Sequence, residues 1–365
     1  MANYLDYEVE ARRQRVGRGW LGWTALIVAI AALTALAVTP SGYLIEQPGE
    51  VHDTLGTVSV DGEDVPLVDI PRETTYPTTG SLDLLTVRLV GSREQTRPWI
   101  EVAAAWLDNS QEIVPVDDVY PEGVTTEQRA EISAAQMTSS QQSAVAAALT
   151  VLDIDFETTV TIVAAVEGGP AEGELEAGDV VVSFDGQPVA DGTALRAAVA
   201  AAEVGTEVPV TVLRDGAEVT ASVAPVAGDN GTVIGVELTT TFEFPFEVAV
   251  QLESVGGPSA GQIFALAIVD KLTPGALTGG NEFAGTGTIA PDGTIGSIGG
   301  IRQKLVGADR AGADYFLAPV ANCDEVVGHI PEGMQVFAVS TLADSLAVLN
   351  TVSSGASTAF LPRCS

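Results

Sequence analysis

The strongest constraint on this chain is residues 20–38, nineteen positions without a charged side chain. As a helix such a run is about 28 Å long, enough to cross the hydrocarbon core of a bilayer. Arg12, Arg13, Arg15 and Arg18 precede it, and no Lys or Arg follows before Arg72. The positive-inside bias therefore predicts one transmembrane helix with the N-terminus in the cytoplasm and everything after Val38 outside. A cleaved leader is the competing reading, because Ala35-Leu36-Ala37 puts small residues at cleavage spacing. The run is longer than the usual apolar core of a leader, which favours an uncleaved anchor in the cell membrane.

Charge and composition then exclude whole classes of function. Sixteen basic against 49 acidic residues give a net charge of -33, which would repel nucleic acid. Only Asp6, Glu8 and Glu10 precede the apolar run, so the acidic excess belongs to the expected extracytoplasmic part and reads as a solvated surface. Two histidines (His52, His329) and two cysteines (Cys323, Cys364) cannot build a zinc cluster of ordinary spacing, so no metal is expected. Both lysines, Lys271 and Lys304, are followed by Leu, so no Gly-Lys-Ser/Thr phosphate loop exists and no nucleotide is expected. In an oxidising compartment two cysteines suggest a disulfide between Cys323 and Cys364. Two unrelated buried thiols are the alternative.

Along the chain, residues 39–78 mix short β-like runs with Gly and Pro breaks, predicting a small strand-rich stalk. A strand is expected from Leu82 to Val90, and a helix over 126–152 with Thr125 or Thr126 as N-cap. Residues 153–228 form a distinct β-rich unit: a strand at 161–166, a Gly169-Pro170-Ala171 turn, Gly178-Asp179 leading a second strand, an Asp185-Gly186 turn, an Ala-rich helix at 193–202 and a closing hairpin. This unit resembles a PDZ domain, a family that binds peptide as an added strand beside such a helix. That family's Gly-Leu-Gly-Phe loop does not stand ahead of the first strand, at 153–159.

Chemistry is concentrated after an alternating segment at 244–252, expected as a strand. Ser259 follows Gly256-Gly257-Pro258 and precedes an apolar helix over 260–272. Alone it reads either as an ordinary N-cap or as a nucleophile at a helix N-terminus, where backbone N–H groups could hold an oxyanion. A second helix, 301–311, places Ile301, Leu305, Ala308 and Ala311 on one arc and Arg302, Gln303, Asp309 and Arg310 on another. Lys304 falls on the apolar arc, either snorkelling to the rim or desolvated with a lowered pKa and able to take a proton from a serine. Neither His52 nor His329 lies in a recognisable motif.

Together these segments resemble the Lon-type serine proteases with a Ser-Lys dyad, closest to the membrane-anchored, ATP-independent members that carry a PDZ domain. Gly257-Pro258-Ser259-Ala260-Gly261 is similar to that family's nucleophile motif. Thr286-Gly287-Thr288-Ile289 and Ile298 through Leu305 are similar to the segment ending in its lysine. The resemblance implies Ser259 as nucleophile, Lys304 as base, Thr286 as the group that orients Lys304, and the Ser259 and Ala260 N–H groups as oxyanion donors. It reaches upstream to the strand at 80–87 and the helix at 136–151. The expected fold is therefore α+β: a Lon proteolytic domain split into 79–152 and 229–365, with the PDZ-like unit at 153–228 inserted, after a cytoplasmic tail (1–19), anchor (20–38) and stalk (39–78). Gly256 stands where many ATP-dependent members carry an acidic residue. The resemblance further implies polypeptide substrates, no cofactor and a homo-oligomer, hexameric in the family. The competing readings are a silent binding scaffold and a serine hydrolase of other substrates.

Overall fold

The computed structural model describes residues 3–60, 62–121, 123–228, 231–252 and 255–364; for 3–19 and 21 it describes the helical backbone alone. Asn3–Val38 is one helix, and most of its large apolar side chains beyond Trp20 are exposed. Among the described residues, no helix is long and apolar enough to cross a membrane. The arginines that set the expected orientation lie outside the described side chains.

Two sheets organise the rest. The first runs in the order Gln335–Val339, Tyr315–Pro319, Glu282–Gly285, Ser81–Val90, Tyr43–Asp53, Glu112–Pro115. Its first four strands are parallel, and the last two join antiparallel. Tyr43–Asp53 thus sits inside the sheet that carries the site, so the expected separate stalk at 39–78 does not exist as such. Pro48 and Gly49 looked like a break because proline cannot donate to a ladder. The chain absorbs them in a bulge, where the register with Ser81–Val90 shifts between Pro48 and Val51.

Helices cover both faces of this sheet. Thr126–Val151 begins on a capping box, Thr125 with Gln128, and packs with Gly261–Leu272 over a core containing Leu82, Leu84, Phe264 and Phe283. Ile301–Ala311 packs on the opposite face, against Tyr43–Asp53, around Leu85, Ala284, Ile301 and Leu305. Gln303, expected on the wet arc, is buried and donates through Nε2 to Glu112 Oε2 at 3.2 Å, because the edge strand Glu112–Pro115 widens the covered arc of the helix. Cys323 and Cys364 form a disulfide that ties the C-terminal tail to the loop after Tyr315–Pro319.

The second sheet runs Ala217–Val223, Val208–Arg214, Val180–Phe184, Glu157–Ala165, Val236–Glu243, with its own core around Phe184, Leu195 and Val212. Its last strand lies beyond the expected boundary at 228. It pairs antiparallel with the first, Glu157 opposite Glu243 and Ala165 opposite Val236. The chain therefore enters and leaves this unit at adjacent positions, through rings of Phe156, Phe242 and Phe244 whose centroids lie 5.5–6.0 Å apart. The strand expected over 244–252 shrinks to Ala249–Val250, paired with Val68–Asp69. Pro245 ends the ladder where the chain crosses between the two units.

Candidate active site

The helix Gly261–Leu272 starts without a side-chain cap; its N-cap is Ala260. Ser259, one residue earlier, therefore caps nothing, and its hydroxyl is engaged elsewhere: Lys304 Nζ donates to Ser259 Oγ at 2.8 Å. The same Nζ donates to Thr286 Oγ1 at 2.8 Å, and Thr286 Oγ1 donates to the Ser259 carbonyl at 2.9 Å. Gly287 N–H donates to that carbonyl as well, at 2.9 Å. Three segments far apart in sequence close one small ring of hydrogen bonds.

Local sequence explains how the loop is held. Gly257 has φ +85°, a conformation that disfavours side chains, and its N–H donates to Ser133 O at 2.8 Å. A Cβ on Gly256 would lie 2.3 Å from Ser133 Oγ, and one on Gly261 would lie 2.8 Å from both Ser140 Oγ and Ile289 Cγ2. Ser140 Oγ donates to Pro258 O at 2.9 Å. Glycine at 256 and 261 is therefore required by close approach to the long helix, and that helix fixes where Ser259 points. Among the described residues, no hydrogen bond from the Ser259 or Ala260 N–H group to another backbone carbonyl outside the helices and strands is found.

Lys304 is 2 % exposed. Burial drives its amine down from 10.5 to about 7, partly offset by the charge of Glu46. Glu46 comes from the Tyr43–Asp53 strand; its own carboxyl is pushed up by burial and by Glu112. Sequence reasoning passed over Glu46 because the bulged strand that carries it read as a stalk. The signal available was the apolar run Tyr43-Leu44-Ile45 ahead of Glu46, two buried residues of which, Leu44 and Ile45, mark a strand.

Ser259 and Lys304 open into a cleft of about 790 Å³, walled by Glu46, Leu84, Thr86, Met137 and Pro258. Neither histidine lines it. His329 is exposed in the loop before Gln335–Val339, and His52 Nε2 lies 3.6 Å from Glu50 Oε2. Lys271 sits in the last turn of Gly261–Leu272, as expected, and outside the cleft. Among the described residues no group of His, Cys, Asp and Glu could hold a metal ion.

In the second unit, Asp179 is buried, and Arg214 clasps it with Nε and Nη2 at 2.8 and 2.7 Å, holding its carboxyl below the usual range. The Gly178-Asp179 pattern is thus a structural lock. Val236–Glu243 is an edge strand beside the helix Gly192–Ala201, and a Cβ on Gly192 would lie 2.7 Å from Thr240 Oγ1. The strand flanking the helix comes from the C-terminal end of the unit, after Val233-Ile234-Gly235, and not from 153–159.

Comparison with known proteins finds two family models that match parts of the chain. Residues 252–351 match the Lon protease C-terminal proteolytic domain, and residues 129–224 match the PDZ domain. The chain carries a Lon-type proteolytic domain and a PDZ domain. The first holds Ser259, Thr286 and Lys304; the PDZ match reaches upstream into the helix Thr126–Val151. Lon protease 1 of Sorangium cellulosum is 36% identical over 94 residues, 25% of this chain, and Lon protease 1 of Bacillus subtilis is 38% identical over 90 residues. The chain matches only 11% of the length of either relative. The crystal structure of the PDZ domain of an SdrC-like protein from Listeria innocua aligns with 22% of this chain and 92% of its own, at 27% identity and a TM-score of 0.21.

Proposed function

We propose that this chain is a membrane-anchored, extracytoplasmic serine endopeptidase that hydrolyses extended or unfolded polypeptide with a Ser259–Lys304 dyad and without ATP. The observation that carries the proposal is the 2.8 Å contact between Ser259 Oγ and a buried amine whose pKa falls to about 7. With the amine neutral, Lys304 Nζ accepts the Ser259 proton as Oγ bonds to the scissile carbonyl carbon. The N–H groups of Ser259 and Ala260 are assigned to meet the resulting oxyanion. The Lys304 ammonium then protonates the leaving amine as the C–N bond breaks, and water releases the acyl group by the same steps in reverse order. Thr286 holds the amine against Oγ in both halves.

Supporting the polypeptide reading, the cleft runs over the Ser81–Val90 strand and past Met137, room for an extended segment with apolar side chains. The PDZ domain would recruit or gate such substrates, and its edge strand Val236–Glu243 continues toward the Ser259 loop through the phenylalanine neck. The charge-free run at 20–38 supports anchoring, and the absence of a Gly-Lys-Ser/Thr loop supports independence from nucleotide. The test is hydrolysis of an unfolded protein by the purified chain without nucleotide, beside Ser259→Ala. Loss of all cleavage in the variant is expected; equal cleavage by both would refute the assignment.

A further inference from the structure

All four tryptophans of the chain, Trp20, Trp23, Trp99 and Trp106, lie at the two ends of the charge-free run. Trp20 and Trp23 open it. The other two belong to a segment eighty residues away in sequence that the fold returns to its far end. Trp99 N–H donates to Thr39 O at 3.3 Å, Ser41 N–H donates to Arg97 O at 3.0 Å, and Pro40 bridges Pro98. The short helix Trp99–Ala105 packs against the end of Asn3–Val38, and the Trp99 ring stands edge-on to Tyr43 at 5.8 Å.

This segment exposes what a water-facing surface rarely exposes. Trp106 is 79% and Leu107 81% exposed, and Trp99 and Ile100 are exposed beside them. Its charge is cancelled as well: Glu101, the one carboxylate between residues 98 and 107, accepts from Arg97 Nε at 2.6 Å. In a chain of net charge -33 that leaves residues 97–107 without net charge, with the carboxylate of Asp108 turned back onto Ser110 and Gln111. The segment's level along the helix is that of residue 39, about 28 Å from Trp20, the separation of the two interfaces of a bilayer.

We infer that residues 98–107 form an interfacial foot, inserting Trp106 and Leu107 into the outer leaflet next to the anchor and fixing the height and tilt of the proteolytic domain above the lipid. The occupant is the glycerol and upper acyl region of the bilayer, where indole rings partition with their N–H groups wet and their rings buried. This rests on the membrane anchoring proposed above. It adds a second contact with the lipid, beside the helix itself.

The test uses the full chain in phospholipid vesicles, with an environment-sensitive fluorophore on Leu107→Cys and, separately, on Ala29→Cys; the disulfide leaves no other free thiol among the described residues. The inference expects blue-shifted emission at both positions, quenched at 107 by lipids carrying a shallow nitroxide and at 29 by lipids carrying a deep one. Water-like, unquenched emission at 107 with quenching at 29 overturns the foot and leaves the anchor standing. A blue shift at 107 without lipid quenching also overturns it, because a second copy of the chain then covers the patch. Absence of quenching at both positions removes the anchor and the foot together.

Discussion

Replacing Lys304 by Met is expected to stabilise the fold at pH 7 while abolishing turnover. The amine titrates near 10.5 when unfolded and near 7 in the folded chain. Between those values the unfolded state holds a proton that the folded state lacks, so folding stability rises with pH across this window. At and below pH 7 the lysine costs the fold up to about 5 kcal/mol, at 1.36 kcal/mol per pH unit. Met fills a similar apolar volume and removes that cost. It also deletes the bonds to Ser259 and Thr286, each worth about 1 kcal/mol. The net expectation is about 3 kcal/mol of added stability at pH 7, shrinking and reversing as pH approaches 10. Urea unfolding of both proteins at pH 7 and at pH 9.5, read as the difference between them so that other titrations cancel, measures it. A variant less stable than the parent at pH 7, with a pH-independent difference, would refute the claim that burial depresses this amine.

The same depression predicts that acylation by a serine-reactive probe rises about tenfold per pH unit below 7 and levels off above it, with no limb from histidine. A plateau reached only above pH 10 would mean a solvated lysine. Cys323→Ser with Cys364→Ser opens a loop of sequence separation 41, which the chain-entropy account values at about 4 kcal/mol, and should lower the urea midpoint without altering probe reactivity at pH 7. Because Glu157 and Glu243 are paired neighbours, replacing residues 157–243 by a short Gly/Ser linker should leave a folded, probe-reactive protein. Loss of probe labelling in a soluble, cooperatively folding deletion would show that the PDZ domain shapes the Ser259 loop.

Much of the site was legible because its chemistry sits in short, contiguous motifs. Helical periodicity alone put Lys304 on the buried arc of 301–311, and the Gly-Pro-Ser-Ala-Gly run placed Ser259 before a helix. What the residues did not disclose were partnerships across sequence distance. The Tyr43–Asp53 strand was hidden by Pro48-Gly49, and with it the carboxylate of Glu46 beside the lysine. The strand Val236–Glu243 carries a β-branched Thr239-Thr240-Thr241 run, yet its pairing with Glu157–Ala165 is a long-range choice that local pattern does not encode. Gln303 looked polar and exposed, and only the arrival of Glu112 from an edge strand explains its burial.

The pairing of Ser259 with Lys304 is tested most directly by mass spectrometry of the chain after treatment with a fluorophosphonate at pH 8. The account predicts one covalent adduct, on Ser259, that disappears in Lys304→Met and persists at parental rate in His52→Ala and His329→Ala. An adduct that survives Lys304→Met, or one lost in either histidine variant with the fold intact, would contradict it.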